Sequence, residues 1–254
     1  MREVRTRLRF IVPWRPEPES TYTQDSVGAD GPHRQRLWNF ARARWEAAYP
    51  DTPIVEGSSP PGLFNRSAAI NDGAFGDWDI AVVIDADVVC SARQVNSAIE
   101  RASQSNRVVL AYSQYRGLTP NMTARILDGY EDIFAFEETE RPWLVPGTRY
   151  VTDFHESSCV VIPRAVFDKC QGFDERFVGW GQEDVAFMQA ARILTGPVTR
   201  VEGPVWHLWH AHGPDRNPAF PEYHANQALG ERYREATDRR AMKAMLRERL
   251  AAHV

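Results

Sequence analysis

Three groups of residues in this chain carry side chains able to do chemistry. Asp85-Ala86-Asp87 follows directly on the apolar run Ile80-Ala81-Val82-Val83-Ile84. A strand ending in Asp-x-Asp sets both carboxylates at the carboxyl edge of a sheet, where their oxygens are free for a hard divalent cation. Gly179-Trp180-Gly181-Gln182-Glu183-Asp184 stands before an amphipathic stretch. It offers a flat aromatic surface, two glycines that let backbone approach a ligand, and a pair of acids at a helix start. Trp206-His207-Leu208-Trp209-His210-Ala211-His212 gathers three histidines. In an extended strand His207 and His210 point to opposite faces, so one of them at most reaches a given ion unless the chain turns.

Each group has a plainer reading when taken alone. Asp is common where strands end and turns begin. Glu183-Asp184 is also a normal acidic start for a helix, with no further role. A histidine among tryptophans is a packing residue, and Trp180 is one of 8 Trp, most of which a core would absorb.

Hydrophobic patterning places the elements that must hold these groups. Arg9 to Pro13, Thr52 to Glu56 and Asp79 to Ile84 read as strands. Arg34 to Tyr49 has helical spacing, with Leu37, Phe40, Ala41, Trp45 and Ala48 on one side. Asn65 to Asp72 looks like a helix start, and Ser91 suits the cap of a helix holding Val95, Ile99 and Ala102. Arg107 to Tyr115 reads as one strand, and Thr119-Pro120 opens a long helix. Ser158 to Pro163 is a strand, Arg164 to Cys170 a short helix, and Gln182 to Leu194 a helix stopped by Gly196-Pro197. Val198 to Glu202 is the last strand, and the chain is helical from Ala225. Residues 20–32 and 139–156 read as irregular loops. Strands alternating with helices imply an α/β fold with a mostly parallel sheet covered on both faces. No linker composition interrupts it. The expectation is one domain over 1–254, with a core at about 8–212 and a C-terminal helical extension at about 225–254.

The segment from Phe173 to Asp184 resembles the Gly-Trp-Gly-Gly-Glu-Asp segment of β-1,4-galactosyltransferases. Less closely, it resembles the Trp-Gly-Gly-Glu-Asn segment of polypeptide N-acetylgalactosaminyltransferases. With Asp85-Ala86-Asp87 ahead of it, the chain resembles the nucleotide-sugar-dependent glycosyltransferases of the Rossmann-like GT-A fold. That resemblance implies a Mn²⁺ or Mg²⁺ held by Asp87, with Asp85 at the ribose or at the metal's hydration. It also implies a His after the last core strand as a further metal ligand, His207 first and His210 as the alternative. Donor binding would fall to Pro13-Trp14-Arg15 beside base and ribose, to Arg66 on the diphosphate, and to Asn71, Asp85 and Ala86. Trp180 and Gly181 would meet the sugars, with His155 an acceptor contact.

In the inverting members, Asp184 would be the general base and Glu183 would hold sugar hydroxyls. A carboxylate in the first turn of a helix is stabilised as the anion, so Asp184 is expected to be ionised near neutral pH. Position 182 is Gln where those families have Gly, which bears on the turn and on the space for the donor sugar.

The expected reaction is transfer of a sugar from a nucleotide donor, UDP-linked by preference, to a hydroxyl acceptor. A retaining transferase on the same fold is the first rival. A sugar-1-phosphate nucleotidyltransferase is the second, disfavoured because Trp14-Arg15-Pro16 stands where its Gly-rich phosphate loop would be. A non-catalytic carbohydrate binder is disfavoured by the intact Asp85, Asp87 and Asp184. The net charge of -4 argues against a dedicated nucleic-acid binder. Three cysteines without short spacing argue against a disulfide framework or a zinc site. No apolar stretch is long enough to span a bilayer, and a cytoplasmic setting is expected. The Arg-rich stretch from Leu229 to Leu250 would pack on the core, with dimerisation an alternative use.

Overall fold

The computed structural model describes residues 6–16, 34–133, 148–152, 156–211 and 218–251, with backbone alone at 148–152 and at 251. Strand β1 (Leu8–Pro13) pairs in parallel with β2 (Ile54–Gly57) on one side and with β3 (Ile80–Ile84) on the other. Every residue of β3 is buried, which is why its sequence is an unbroken apolar run and shows no alternation. Beyond it, β8 (Cys159–Pro163) runs antiparallel to β3 and to β5 (Val109–Leu110), and β9 (Thr199–Arg200) is parallel to β5. The sheet order is β2-β1-β3-β8-β5-β9, with β8 the strand opposed to its neighbours. A second sheet has the order β4-β10-β6-β7, built from β4 (Val88–Cys90), β6 (Gln114–Leu118), β7 (Thr148–Thr152) and β10 (Pro204–His207).

Helices flank the larger sheet. Helix α1 (Arg34–Ala48) buries Leu37, Trp38, Ala41 and Trp45. Helix α2 (Arg66–Gly73) is capped by Asn65, whose side chain accepts from the Ala68 amide at 2.9 Å. Ser91 caps α3 (Ala92–Ser105), as its sequence predicts. Next come α4 (Pro120–Leu127), α5 (Arg164–Lys169) and α6 (Glu183–Thr195). The C-terminal pair is α7 (Pro221–Glu235) and α8 (Arg239–Ala251), and Met242, Met245 and Leu246 of α8 join the main core. No helix among the described residues is long and apolar enough to cross a membrane.

Three local expectations are corrected, and one strand is added. The single strand over Arg107 to Tyr115 is two strands in different sheets. The Ala111 amide bonds to Cys159 O of the larger sheet, whereas the Ser113 amide bonds to Gly203 O at 2.9 Å. The chain therefore changes sheets within three residues, which an apolar run cannot signal. The helix after Thr119 is eight residues long, ending ahead of Gly129 at φ 80°. Val198 to Glu202 is not the last strand, because the chain bends at Gly203 and re-enters the second sheet as β10. Strand β4 follows Asp87 directly and is too short to read from pattern.

Candidate active site

The site lies at the carboxyl end of β3. There the Asp85 amide bonds to O of Ser158, the residue just ahead of β8, at 3.0 Å, and the Val88 amide bonds back to Asp85 O at 3.2 Å. This tight turn delivers Asp87 to the start of β4. Antiparallel pairing of β4 with β10 puts Val88 opposite His207, and Leu208 N bonds to Asp87 O at 2.8 Å. Sheet register therefore carries the histidine tract to Asp87 from more than a hundred residues away.

Both histidines arrive. His207 Nε2 is 3.6 Å from Asp87 Oδ1, and His210 Nε2 is 3.0 Å from Asp87 Oδ2. The three ligand atoms lie within 4.8 Å of one another. The opposite-faces argument fails because β10 ends at His207. Beyond it the chain bends, and Trp209 N bonds to Thr123 Oγ1 at 2.8 Å. The two imidazoles come to 5.2 Å between centroids. Burial opposes ionisation of Asp87, but His207, His210 and the Arg34 guanidinium outweigh it and hold this carboxyl far below the ordinary range. His212 lies outside the described residues.

Asp85 stands apart from that group. It accepts from Arg66 Nη2 at 2.7 Å and Nε at 3.0 Å. The same guanidinium bonds to Asp184 and comes within 3.7 Å of Glu183 Oε1. Thus Arg66, at the first position of α2, faces three carboxylates. Burial pushes the Asp184 carboxyl well up; Arg66 opposes that, while Glu183 and Asp85 add to it. Glu183 is raised by burial as well. Burial first, and then the neighbouring acids, act here against the helix dipole on which the expected ionisation of Asp184 rests.

The Gly179–Gln182 turn is built from unusual backbone. Gly179, Gly181 and Gln182 all have positive φ, at 74°, 102° and 78°. Glycine adopts this region freely, but glutamine does not. Gln182 is held there by its side chain, which donates to Gln227 Oε1 at 3.1 Å and accepts from Arg234 Nη1 at 2.6 Å. Trp180 between them is 39% exposed and stacks on Tyr223 of α7.

The chain's family follows from this sequence and arrangement. The family model described as glycosyltransferase-like family 2 matches residues 36–208, more than half of the chain. The chain belongs to that family. This glycosyltransferase also aligns with the catalytic domain of Drosophila β1,4-galactosyltransferase 7 in complex with xylobiose. The TM-score is 0.52 at 16% identity, covering 87% of this chain and 79% of that one. An Asp-to-Asn mutant of the same Drosophila enzyme, in complex with manganese, UDP-Gal and xylobiose, gives 0.51 at 15% identity, with the same coverage. These likenesses show the GT-A fold. No curated protein matches the sequence.

The remaining sequence-predicted residues of the glycosyltransferase fall in several places. Pro13 ends β1, Trp14 is buried near Trp38 with centroids 6.4 Å apart, and Ala86 is buried in the turn. Arg15 is committed to the loop after β2, donating to Ser59 Oγ at 2.7 Å, Pro60 O at 2.8 Å and Gly62 O at 2.5 Å. Asn71 is fully bonded to the segment before the turn, to Phe173 O, Glu175 Oε1 and the Phe173 amide, all at 2.8–2.9 Å. It ties α2 to that segment, on the side of the helix away from Arg66. His155 lies outside the described residues.

Sequence reading missed Arg34, whose Nη2 is 3.8 Å from Asp87 Oδ2. Its position at the start of an amphipathic helix gave no signal. It also missed Tyr223 and Asn226 of α7, where Gly230 in a helix interior was the available clue.

Proposed function

We propose that this glycosyltransferase is metal-dependent and moves a sugar from a UDP-linked donor to a hydroxyl of a glycan, with inversion. The observation that carries this reading is the convergence of Asp87, His207 and His210 at the strand edge that also holds the Asp85–Arg66–Asp184 chain.

One carboxylate oxygen and two imidazole nitrogens form a donor set that suits Mn²⁺ better than the all-oxygen-seeking Mg²⁺. Asp87, His207 and His210 would hold the ion. When bound, it supplies Lewis-acid neutralisation of the departing diphosphate. Manganese and UDP-Gal in the Drosophila enzyme's complex support the pairing of metal and donor.

The protein's own residues do the rest. Arg34, beside Asp87, adds fixed positive charge on the leaving-group side. Asp184 accepts the proton of the acceptor hydroxyl while that oxygen bonds to the anomeric carbon. The electron pair of the breaking glycosidic bond leaves with the diphosphate. A raised pKa makes Asp184 a stronger base than an ordinary surface carboxylate. Glu183, with one buried oxygen lacking a hydrogen-bond partner, is placed to accept from a sugar hydroxyl. Trp180 offers its exposed face to a sugar ring.

Calorimetric titration with UDP and with GDP, each with and without Mn²⁺, tests the donor side. UDP binding that requires the metal is the expected result. No binding of either nucleotide with metal present would overturn it. NMR of the product's anomeric proton decides inversion against retention.

A further inference from the structure

Helix α7 presents one stripe, Tyr223, Asn226, Gly230 and Tyr233, spaced three, four and three residues apart and so on one face. Every member touches the segment that leads into the catalytic helix. Tyr233 donates to Asp174 Oδ2 at 2.8 Å. Gly230 lies so close to the turn that an added Cβ would be 2.8 Å from Gln182 Cβ. Asn226 is 1% exposed, and it accepts from the Val178 amide at 3.3 Å and donates to Val178 O at 2.9 Å and Trp180 O at 3.1 Å. Tyr223 lies nearly parallel to Trp180, at 9° with centroids 6.0 Å apart.

A helix serving only as packing would spend apolar side chains here. This one spends a buried amide on the backbone of a turn whose left-handed residues make no regular ladder of their own. Trp180 is thereby held outward, while Trp14, Trp38, Trp45, Trp78 and Trp206 are buried. The half-buried ring of Tyr223 lies beside the exposed ring of Trp180 and nearly parallel to it.

We propose that α7 is the acceptor-side wall of the transfer site. Asn226 is the positioning residue for Trp180, and Tyr223 is a second stacking ring that favours acceptors with two or more linked sugars. The proposal rests on the reading above that Trp180 faces the acceptor.

The test uses the full chain and its Tyr223→Ala and Asn226→Ala variants, with UDP-galactose, Mn²⁺, and xylose or xylobiose as acceptor probes. UDP release without sugar reads donor hydrolysis, and sugar-stimulated release reads transfer. In Tyr223→Ala, the KM for xylobiose should rise about five- to tenfold, well beyond any change in the KM for xylose or for UDP-galactose. In Asn226→Ala, the sugar KM should rise while the donor KM does not follow. An unchanged xylobiose KM in Tyr223→Ala overturns the proposal, as do donor and acceptor KM values rising together in Asn226→Ala. If Asn226→Ala fails to fold, Tyr223→Ala decides alone. A wild-type chain that hydrolyses the donor but is stimulated by neither sugar also overturns it. A chain inert toward UDP-galactose refutes the donor reading instead. Saturation-transfer NMR with xylobiose then judges the wall: a signal lost in Tyr223→Ala supports it, and no signal in the wild type overturns it.

Discussion

Arg66 grips a single oxygen of Asp85, with Nη2 at 2.7 Å and Nε at 3.0 Å. Its remaining nitrogen goes to Asp184. The guanidinium thus joins the end of β3 to the start of α6 and is the counter-charge for a crowded acidic centre. Arg66→Met should leave Asp85, Glu183 and Asp184 buried without compensation. A loss of about 3–5 kcal/mol in a denaturant titration is expected, larger than for typical surface arginines.

Removal of the proton acceptor separates chemistry from binding. Asp184→Asn should lower transfer by about 10²–10⁴-fold, with metal-dependent UDP binding retained by calorimetry. Turnover near the wild-type rate would remove Asp184 from the base role.

The pH dependence follows from the raised Asp184 pKa. The ionised form accepts the proton, so kcat/KM should rise with pH through that pKa, on a limb displaced upward from the ordinary carboxylate range. Burial is the largest cause of the shift, and Glu183 contributes to it. Glu183→Gln, by deleting a like charge, should move the acid limb to lower pH.

Metal affinity distinguishes the histidine assignments. With both rings at Asp87, His207→Ala and His210→Ala should each weaken Mn²⁺ binding by about tenfold or more in calorimetry. If one variant binds as the wild type does, that histidine is not a ligand. Chelation should remove activity, and added Mn²⁺ should restore it.

Asp174 links the C-terminal helices to the segment ahead of α6 and is nearly inaccessible. Burial raises its pKa, but bonds from Arg176 and Tyr233 outweigh this and leave it lowered. Its folded pKa is below its unfolded one. The stability it adds is therefore complete above about pH 4 and is lost as pH falls through the folded value. Melting temperatures followed down from neutral pH should drop more steeply there for the wild type than for Asp174→Asn.

Some elements were legible because one neighbour decides them. Ser91 and Asn65 announce helix starts through bonds reaching three residues ahead. The buried run Ile80–Ile84 could only be a central strand in an alternating α/β pattern. Strands β4 and β10 were not legible. They are three and four residues long and exist because they pair with each other and because β10 also pairs with β6.

The same division runs through the site. Asp85, Asp87, Trp180, Glu183 and Asp184 stand in short motifs whose side-chain types state the chemistry. Their order along the chain carried the resemblance to GT-A glycosyltransferases, and the family match over residues 36–208 bears out that class. The sequence could not say that His207 and His210 both turn to Asp87. Nor could it say that Arg66 faces three acids, or that Asn226 bonds to the backbone of Val178 and Trp180. Those outcomes depend on sheet register, a bend after β10 and the close approach of α7 at Gly230. Each is set by contacts between segments far apart in sequence, where local propensity has no reach and packing decides.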